Sequence, residues 1–393
     1  MKPRVLQFLK TKTLTELSEQ HGVDSRPSAD YSKISLNYSQ IDAKSGDLLA
    51  EECRGLIIRP SNKLNESNWN STILDSCAVV AWGMNRFYNF GDPVCARIDM
   101  SRCSILEKLD GTMIIAYWDD IKSQWCFATR AVPEADLPIN GGFHTFSSLF
   151  LDTLQIMIRD TISSVDEWLN TLDKDFSYTF ELMTLVNQVV VVHEKPKISL
   201  LARRNIKTGI EAPVYNGLLP CVEVPQTYKI PSKIEDFINW IDEQDPKKFE
   251  GVVFCDHNFN RVKIKNKTYV LASKVKESVC SSPRNIVEII LREKADDILP
   301  LLDEFSAAKV VEIQDKIREY FHSSDKLFHT AKSQTASRKD FSLYLKNSNI
   351  DYHSGVMFGL YENKFSVTKE YFKQLIEKDK LCKTAIDNLL NII

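Results

Sequence analysis

A lysine can bond to an electrophilic phosphorus only as the free amine, and an unperturbed lysine has a pKa of about 10.4. A lysine meant for that work therefore needs surroundings that drive its proton off. Five charged residues in strand-like runs have the right types: Lys108 ending "CSILEK", Glu181 inside "YTFELM", Glu250 opening "EGVVF", and Lys263 and Lys265 in "RVKIK". In an extended strand residues i and i+2 share a face, so Lys263 and Lys265 point the same way. Two like charges so placed repel each other unless an anion lies between them. Such a pair would neutralise a phosphate and depress a third amine nearby, while two carboxylates could hold a divalent cation directly or through water. Taken singly, each of these charges also reads as an ordinary solvated strand position.

The elements that must position them are short. Between about residues 34 and 265 the runs "ISLNY", "GLIIR", "CAVVAW", "CSIL", "MIIAYW", "WCFATR", "YTFELM", "QVVVVH", "ISLLA", "GVVF" and "RVKIK" are rich in Val, Ile, Tyr and Phe and bounded by turn residues. They predict strands of mostly antiparallel sheets. Lys108 falls in "EKLDGT", where Asp-Gly between two β-type runs predicts a hairpin turn. Helical spacing covers 145–160, Ser164-x-x-Glu167 and Ser232-x-x-Glu235 have the pattern of capping boxes, and Ser282-Pro283 that of a helix start. Beyond about 267 the apolar period is helical throughout. The expected class is α+β: a body of mostly antiparallel sheets over 1–270 and an all-helical module over 271–393, joined near 267–282.

Of 393 residues, 50 are Lys or Arg and 53 Asp or Glu, a net charge of -3 that gives no global basic field. A polyanion would have to use a local patch, and "RVKIKNKTYVLASKVK" (261–276) has six basic residues and no acid. The nine cysteines show no Cys-x-x-Cys and no zinc spacing with histidine, as in a reducing compartment without a structural metal. Neither a leader-type start nor a membrane-length apolar run is present, so a cytoplasmic protein with no membrane partner is expected.

In this order, "EKLDGT", "FELM", "EGVVF" and "VKIK" resemble the signature of the covalent nucleotidyltransferase superfamily of ligases and mRNA capping enzymes. The segments "EECRGLIIR", "MNRFYNFGDP", "NQVVVVHEKPKISLLARR" and "DYHSGVMFGLYE" are similar, more narrowly, to the bacteriophage RNA ligase 1 family. The resemblance covers most of the chain and is weakest over 1–30 and 130–175. It implies an adenylyltransferase body, including an N-terminal extension, followed by a helical C-terminal domain that recognises RNA such as a cleaved tRNA.

The same resemblance implies roles. Lys108 would be the nucleophile that forms lysyl-AMP, beside a turn shaped by Asp110 and Gly111. Arg54 and Arg86 would grip the β- and γ-phosphates of ATP, Arg86 and Arg130 each standing where a lysine is familiar. Glu181 would contact the ribose or a metal's water shell, Glu250 the metal, and Lys263 with Lys265 the α-phosphate. Mg2+ is the implied ion, with Mn2+ as a substitute. Glu107 would read the base; Leu201 and Val253 would clamp adenine, or else simply pack in the core. His193 reads as structural. The implied reaction joins RNA 5′-phosphate and 3′-hydroxyl ends, with an end-healing kinase or phosphatase as partner in RNA or tRNA repair. A DNA ligase, a capping guanylyltransferase and a silent nucleotide-binding protein are the alternatives.

Overall fold

The computed structural model describes residues 2–139, 144–293, 295–302, 304–348, 353–378 and 389–390. The chain divides into two compact units, Met1–Tyr269 and Val270–Ile393.

The first unit is built on fourteen described strands: β1 (Val23–Pro27), β2 (Ile34–Tyr38), β3 (Arg54–Pro60), β4 (Cys77–Ala81), β5 (Tyr88–Asn89), β6 (Cys103–Glu107), β7 (Thr112–Asp119), β8 (Gln124–Ala128), β9 (Phe176–Met183), β10 (Lys197–Asn205), β11 (Glu211–Ala212), β12 (Thr227–Tyr228), β13 (Gly251–Asp256) and β14 (Arg261–Lys265). They form three sheets, ordered β1-β2-β3-β4, β11-β10-β9-β7-β8 and β12-β6-β13-β14-β5. All pairings are antiparallel except β14 with β5.

Alternation assigns the faces. In β9, Tyr178, Phe180 and Leu182 pack with Phe150 and Leu154 of the helix Phe146–Ile158. That turns Thr179, Glu181 and Met183 to the opposite face, where Met113, the cross-strand partner of Glu181, packs with Ile57 and Val80 of the first sheet. The first and second sheets are also tied by charge. The ammonium of Lys33, fully buried, bonds Asp119 at 2.6 Å and Glu134 at 2.7 Å, and Arg59 holds the other Asp119 oxygen at 2.5 Å.

Three expectations fail. "EKLDGT" is not a hairpin: β6 pairs with β12 and β13 while β7 pairs with β8 and β9, so Leu109–Gly111 is a corner between two sheets. "QVVVVH" (188–193) is not a strand, because the N–H groups of Val190 and Val191 are taken by the Asp110 carboxylate rather than by a neighbouring strand. Ser232 caps nothing; the helix Ile234–Glu243 starts from Lys233 without a side-chain cap. Ser164 does cap the helix Val165–Leu169, and Ser282 with Pro283 opens the helix Pro283–Leu291.

The second unit is helical among its described residues. Its longest helix, Glu304–Gln334, buries Val310, Ile313, Ile317, Tyr320, Leu327 and Ala331 at helical spacing. They pack with Ile286, Phe341, Met357, Leu360 and Phe372 of the surrounding helices. Asp351 and Tyr352, at the head of the "DYHSGVMFGLYE" run, lie outside the described residues, as do 379–388.

Candidate active site

Lys108 follows the last residue of β6, and its N–H bonds the Gly251 carbonyl at 2.8 Å, which fixes it beside the start of β13. The Lys108 ammonium bonds Glu250 Oε2 at 2.8 Å, and the Lys265 ammonium takes Glu250 Oε1 at 2.7 Å. Glu250 is only 3 % exposed, so its carboxylate is spent on two ammonium groups. Gly251 adopts φ +149°, and a Cβ there would stand 2.1 Å from the Ile264 carbonyl oxygen; only glycine lets β13 and β14 meet at this point.

The corner after Lys108 is clasped from three directions. Asp110, 4 % exposed, accepts the Val190 and Val191 N–H groups on Oδ2 at 2.8 and 2.7 Å and the Tyr269 hydroxyl on Oδ1 at 2.7 Å. The His193 ring nitrogen Nε2 sits 2.6 Å from the Asp110 carbonyl, a structural place. Gly111 is required by close approach, since a Cβ would lie 2.3 Å from the Leu182 oxygen.

The Glu181 carboxylate makes no hydrogen bond or ion pair among the described residues. Burial, only partly opposed by Lys108, pushes its carboxyl up to about 7. Lys263 is displaced the other way, to about 8, by burial and then by the charges of Lys108, Lys265 and Arg54. The expected depression of Lys108 is not found. Burial pulls its pKa down, but Glu250 and Glu181 more than offset this and hold it above the ordinary lysine value. At rest the amine is an ammonium ion. The reason is geometric, in that the nearest charge to Lys108 is a carboxylate and not another lysine.

A second group of cations lies around Tyr38. The Arg86 and Arg130 guanidinium carbons stand 4.4 and 5.5 Å from its ring centre, and Arg54 lies 5.1 Å from the ring of Phe87, which Lys263 also approaches at 5.4 Å. Arg130 donates to the Gln40 amide oxygen at 3.1 and 3.0 Å once that amide is turned to face it. Burial lowers Arg54, as does the charge of Arg130. Nη1 of both Arg54 and Arg86 is buried without a hydrogen-bond partner. Unmet buried donors cost about 1–3 kcal/mol each, a cost that phosphate oxygens would remove.

The other predicted residues are placed as follows. Glu107 is half-buried and raised by burial, which the charge of Lys197 opposes. Val253 is half-buried and directly opposite Lys263, hence on the lysine face of its sheet. Leu201 is the extra residue of a bulge between Leu200 and Ala202 and packs on the core that contains Met113. Arg261, one of the basic residues of the run 261–276, is held against Glu211 and is little exposed. Sequence reasoning gave no role to Tyr38, Phe87 and Tyr269, although Phe87 lies in the quoted "MNRFYNFGDP" segment and Tyr269 is the aromatic four residues after Lys265.

No three metal-ligating side chains come together among the described residues. Two carboxylates alone do not make a protein cage, but they suit a Mg2+ ion that arrives with the phosphates of its nucleotide.

No family model matches the chain. It is similar to an RNA ligase of Rhodothermus phage RM378, 22% identical in a 378-residue alignment that covers 78% of this chain and 80% of the relative. Among solved structures it is similar to an archaeal ATP-dependent RNA ligase, with 13% identity, 87% of this chain and 89% of the other covered, and a TM-score of 0.40. A second is a Naegleria gruberi RNA ligase mutant with ATP and Mn, with 14% identity, 44% and 52% covered, and a TM-score of 0.34.

Proposed function

We propose that this chain is an ATP-dependent RNA ligase of the covalent nucleotidyltransferase type, sealing RNA 5′-phosphate to 3′-hydroxyl ends through lysyl-AMP and adenylylated RNA. The observation that carries the reading is the meeting of Lys108 and Lys265 on the one buried carboxylate of Glu250, with Glu181 and Lys263 close enough to act on the same amine. The phage relative of similar length, named an RNA ligase, supports the RNA substrate.

Lys108 attacks the α-phosphorus of ATP as pyrophosphate leaves. Held by Glu250, the amine is a cation and inert, so the pair must open first. Once Glu250 is withdrawn, burial, the largest influence on the amine, favours its neutral form, helped by Arg54 and opposed by the charge of Glu181. Lys263 and Lys265 neutralise the α-phosphate, while Arg54 and Arg86 bring their unmatched donors to the β- and γ-phosphates. Glu250 and Glu181 are the residues that would hold Mg2+ or Mn2+, which when bound neutralises the departing pyrophosphate. AMP then passes from Lys108 to the RNA 5′-phosphate, and the 3′-hydroxyl displaces it. Val253 and Leu201 flank the base, and Glu107 reads its edge.

Residues 1–270 act as the adenylyltransferase domain and 271–393 as the RNA-recognition domain, with cleaved tRNA as a substrate and an end-healing kinase or phosphatase acting before it in the cytoplasm. Among the described residues no helix is long and apolar enough to cross a membrane. A DNA ligase or capping enzyme of this superfamily would carry a strand-rich OB fold after the Lys-x-Lys strand; the described residues after Lys265 are helical.

The test is incubation with α-labelled ATP and Mg2+ followed by denaturing electrophoresis. Wild type retains label and Lys108→Ala loses at least about 100-fold of it; equal labelling of both rejects Lys108. Labelling by GTP in place of ATP points to capping, and sealing of DNA in preference to RNA points to a DNA ligase.

A further inference from the structure

Among the described residues the ion pair that joins the second sheet to the third is the one between Glu211 and Arg261. On β11, Glu211 stands directly opposite Arg204 of β10 and accepts Arg204 Nη2 at 2.6 Å. From the third sheet, Arg261 at the start of β14 reaches it with both terminal nitrogens, Nη1 at 3.2 Å and Nη2 at 2.7 Å. Glu211 is 7 % exposed. Arg204 is itself anchored, lying 4.3 Å from the Trp82 ring centre and bonding Asn85 Oδ1 at 3.1 Å, on the segment that leads to Arg86. Two of the elements that deliver cations to the phosphates, β14 and the segment before Arg86, are thus linked through one carboxylate.

Arg261, Lys263 and Lys265 alternate along β14 and share a face. β14 is held by β13 on one side, but on the other only by the two-residue strand β5. Its distance from the second sheet, where Glu181 stands, therefore depends on side chains. A buried carboxylate shared by two guanidinium groups is a demanding arrangement, because removing the carboxylate leaves two unpaired cations in contact.

We propose that Glu211 is a positioning residue for the phosphate lysines: through Arg261 it sets the spacing of Lys263 and Lys265 from Glu181 and from the Arg54 and Arg86 cluster. The proposal rests on the ligase reading above. Glu211 touches no reacting atom. Misplacing a charged group by about 1 Å costs on the order of 100-fold in rate, and that loss belongs to the transition state, since Arg54 and Arg86 still bind ATP in the ground state.

The experiment uses the full chain and the variant Glu211→Gln, which keeps the size of the side chain and removes its charge. Three quantities are read: the rate of lysyl-AMP formation at saturating ATP, the KM for ATP, and the fraction of chains labelled at long times. Amide hydrogen exchange over residues 261–265 is measured alongside. The expected result is a rate lower by about 100-fold, a KM within about threefold of wild type, an unchanged labelled fraction, and faster exchange in β14. Unchanged exchange or an undiminished rate overturns the proposal, and so does a loss carried by KM or by the labelled fraction. A wild-type chain that takes no label overturns the ligase reading instead, and the exchange comparison still decides whether Glu211 holds β14.

Discussion

Glu181 shows what the fold does to one side chain. It is raised to about 7 because burial disfavours the carboxylate and nothing bonds to it directly. The linkage follows from that direction: between pH about 4.5 and about 7 the folded chain keeps a proton that the unfolded chain has released, so stability falls as pH rises. Glu181→Gln removes the cost. The variant is expected to lack labelling activity yet to be more stable than wild type by roughly 3 kcal/mol, with the gap opening between pH 4.5 and 7 and constant above. Thermal melts across that range check this, and a gap that is flat with pH contradicts it. At this scale much was legible. The period of two in "YTFELM" and "RVKIK" puts Glu181 and the two lysines on one face each, whatever the tertiary structure. The direction of the Lys108 shift was not legible, since it depends on which charge stands nearest, and Glu250 is 142 residues away.

Elements are where local signals were overruled. Asp-Gly in "EKLDGT" has the chemistry of a hairpin, but β6 and β7 each find better partners elsewhere, and the dipeptide becomes a sheet-to-sheet corner. The same long-range bonds unmake the strand expected at 188–193, since its N–H donors lie 80 and 81 residues from the carboxylate that takes them. No window of sequence contains both halves of such a bond. Asp110→Ala strands two buried N–H groups and the Tyr269 hydroxyl, and is expected to cost about 1–3 kcal/mol for each donor left unmatched. Tyr269→Phe, which removes a single bond, is expected to cost about 1 kcal/mol. Denaturant midpoints for the two variants check the ordering; a Tyr269→Phe loss equal to that of Asp110→Ala would show that the clasp is one bond and not three.

At the scale of the whole molecule, composition and the change of apolar period near 267 foretold an α+β body followed by helices, and the described elements have that order. What each unit does can be separated. Met1–Tyr269 contains every residue of the candidate site and its own cores. A chain ended after the helix Lys267–Ser281 is expected to keep self-labelling within about tenfold of the full chain while losing preference among RNA substrates. Labelling assays and competition between a nicked tRNA and a linear RNA check this. Abolished labelling in a folded fragment would place part of the chemistry beyond residue 281. The pocket itself is assembled from Arg54 on β3, Lys108 after β6, Glu181 on β9 and Lys265 on β14, four elements of three sheets spread along the chain. On the ligase reading, a nascent polypeptide then captures no nucleotide covalently until the last of these has cleared the ribosome, and prematurely terminated copies spend no ATP on self-labelling.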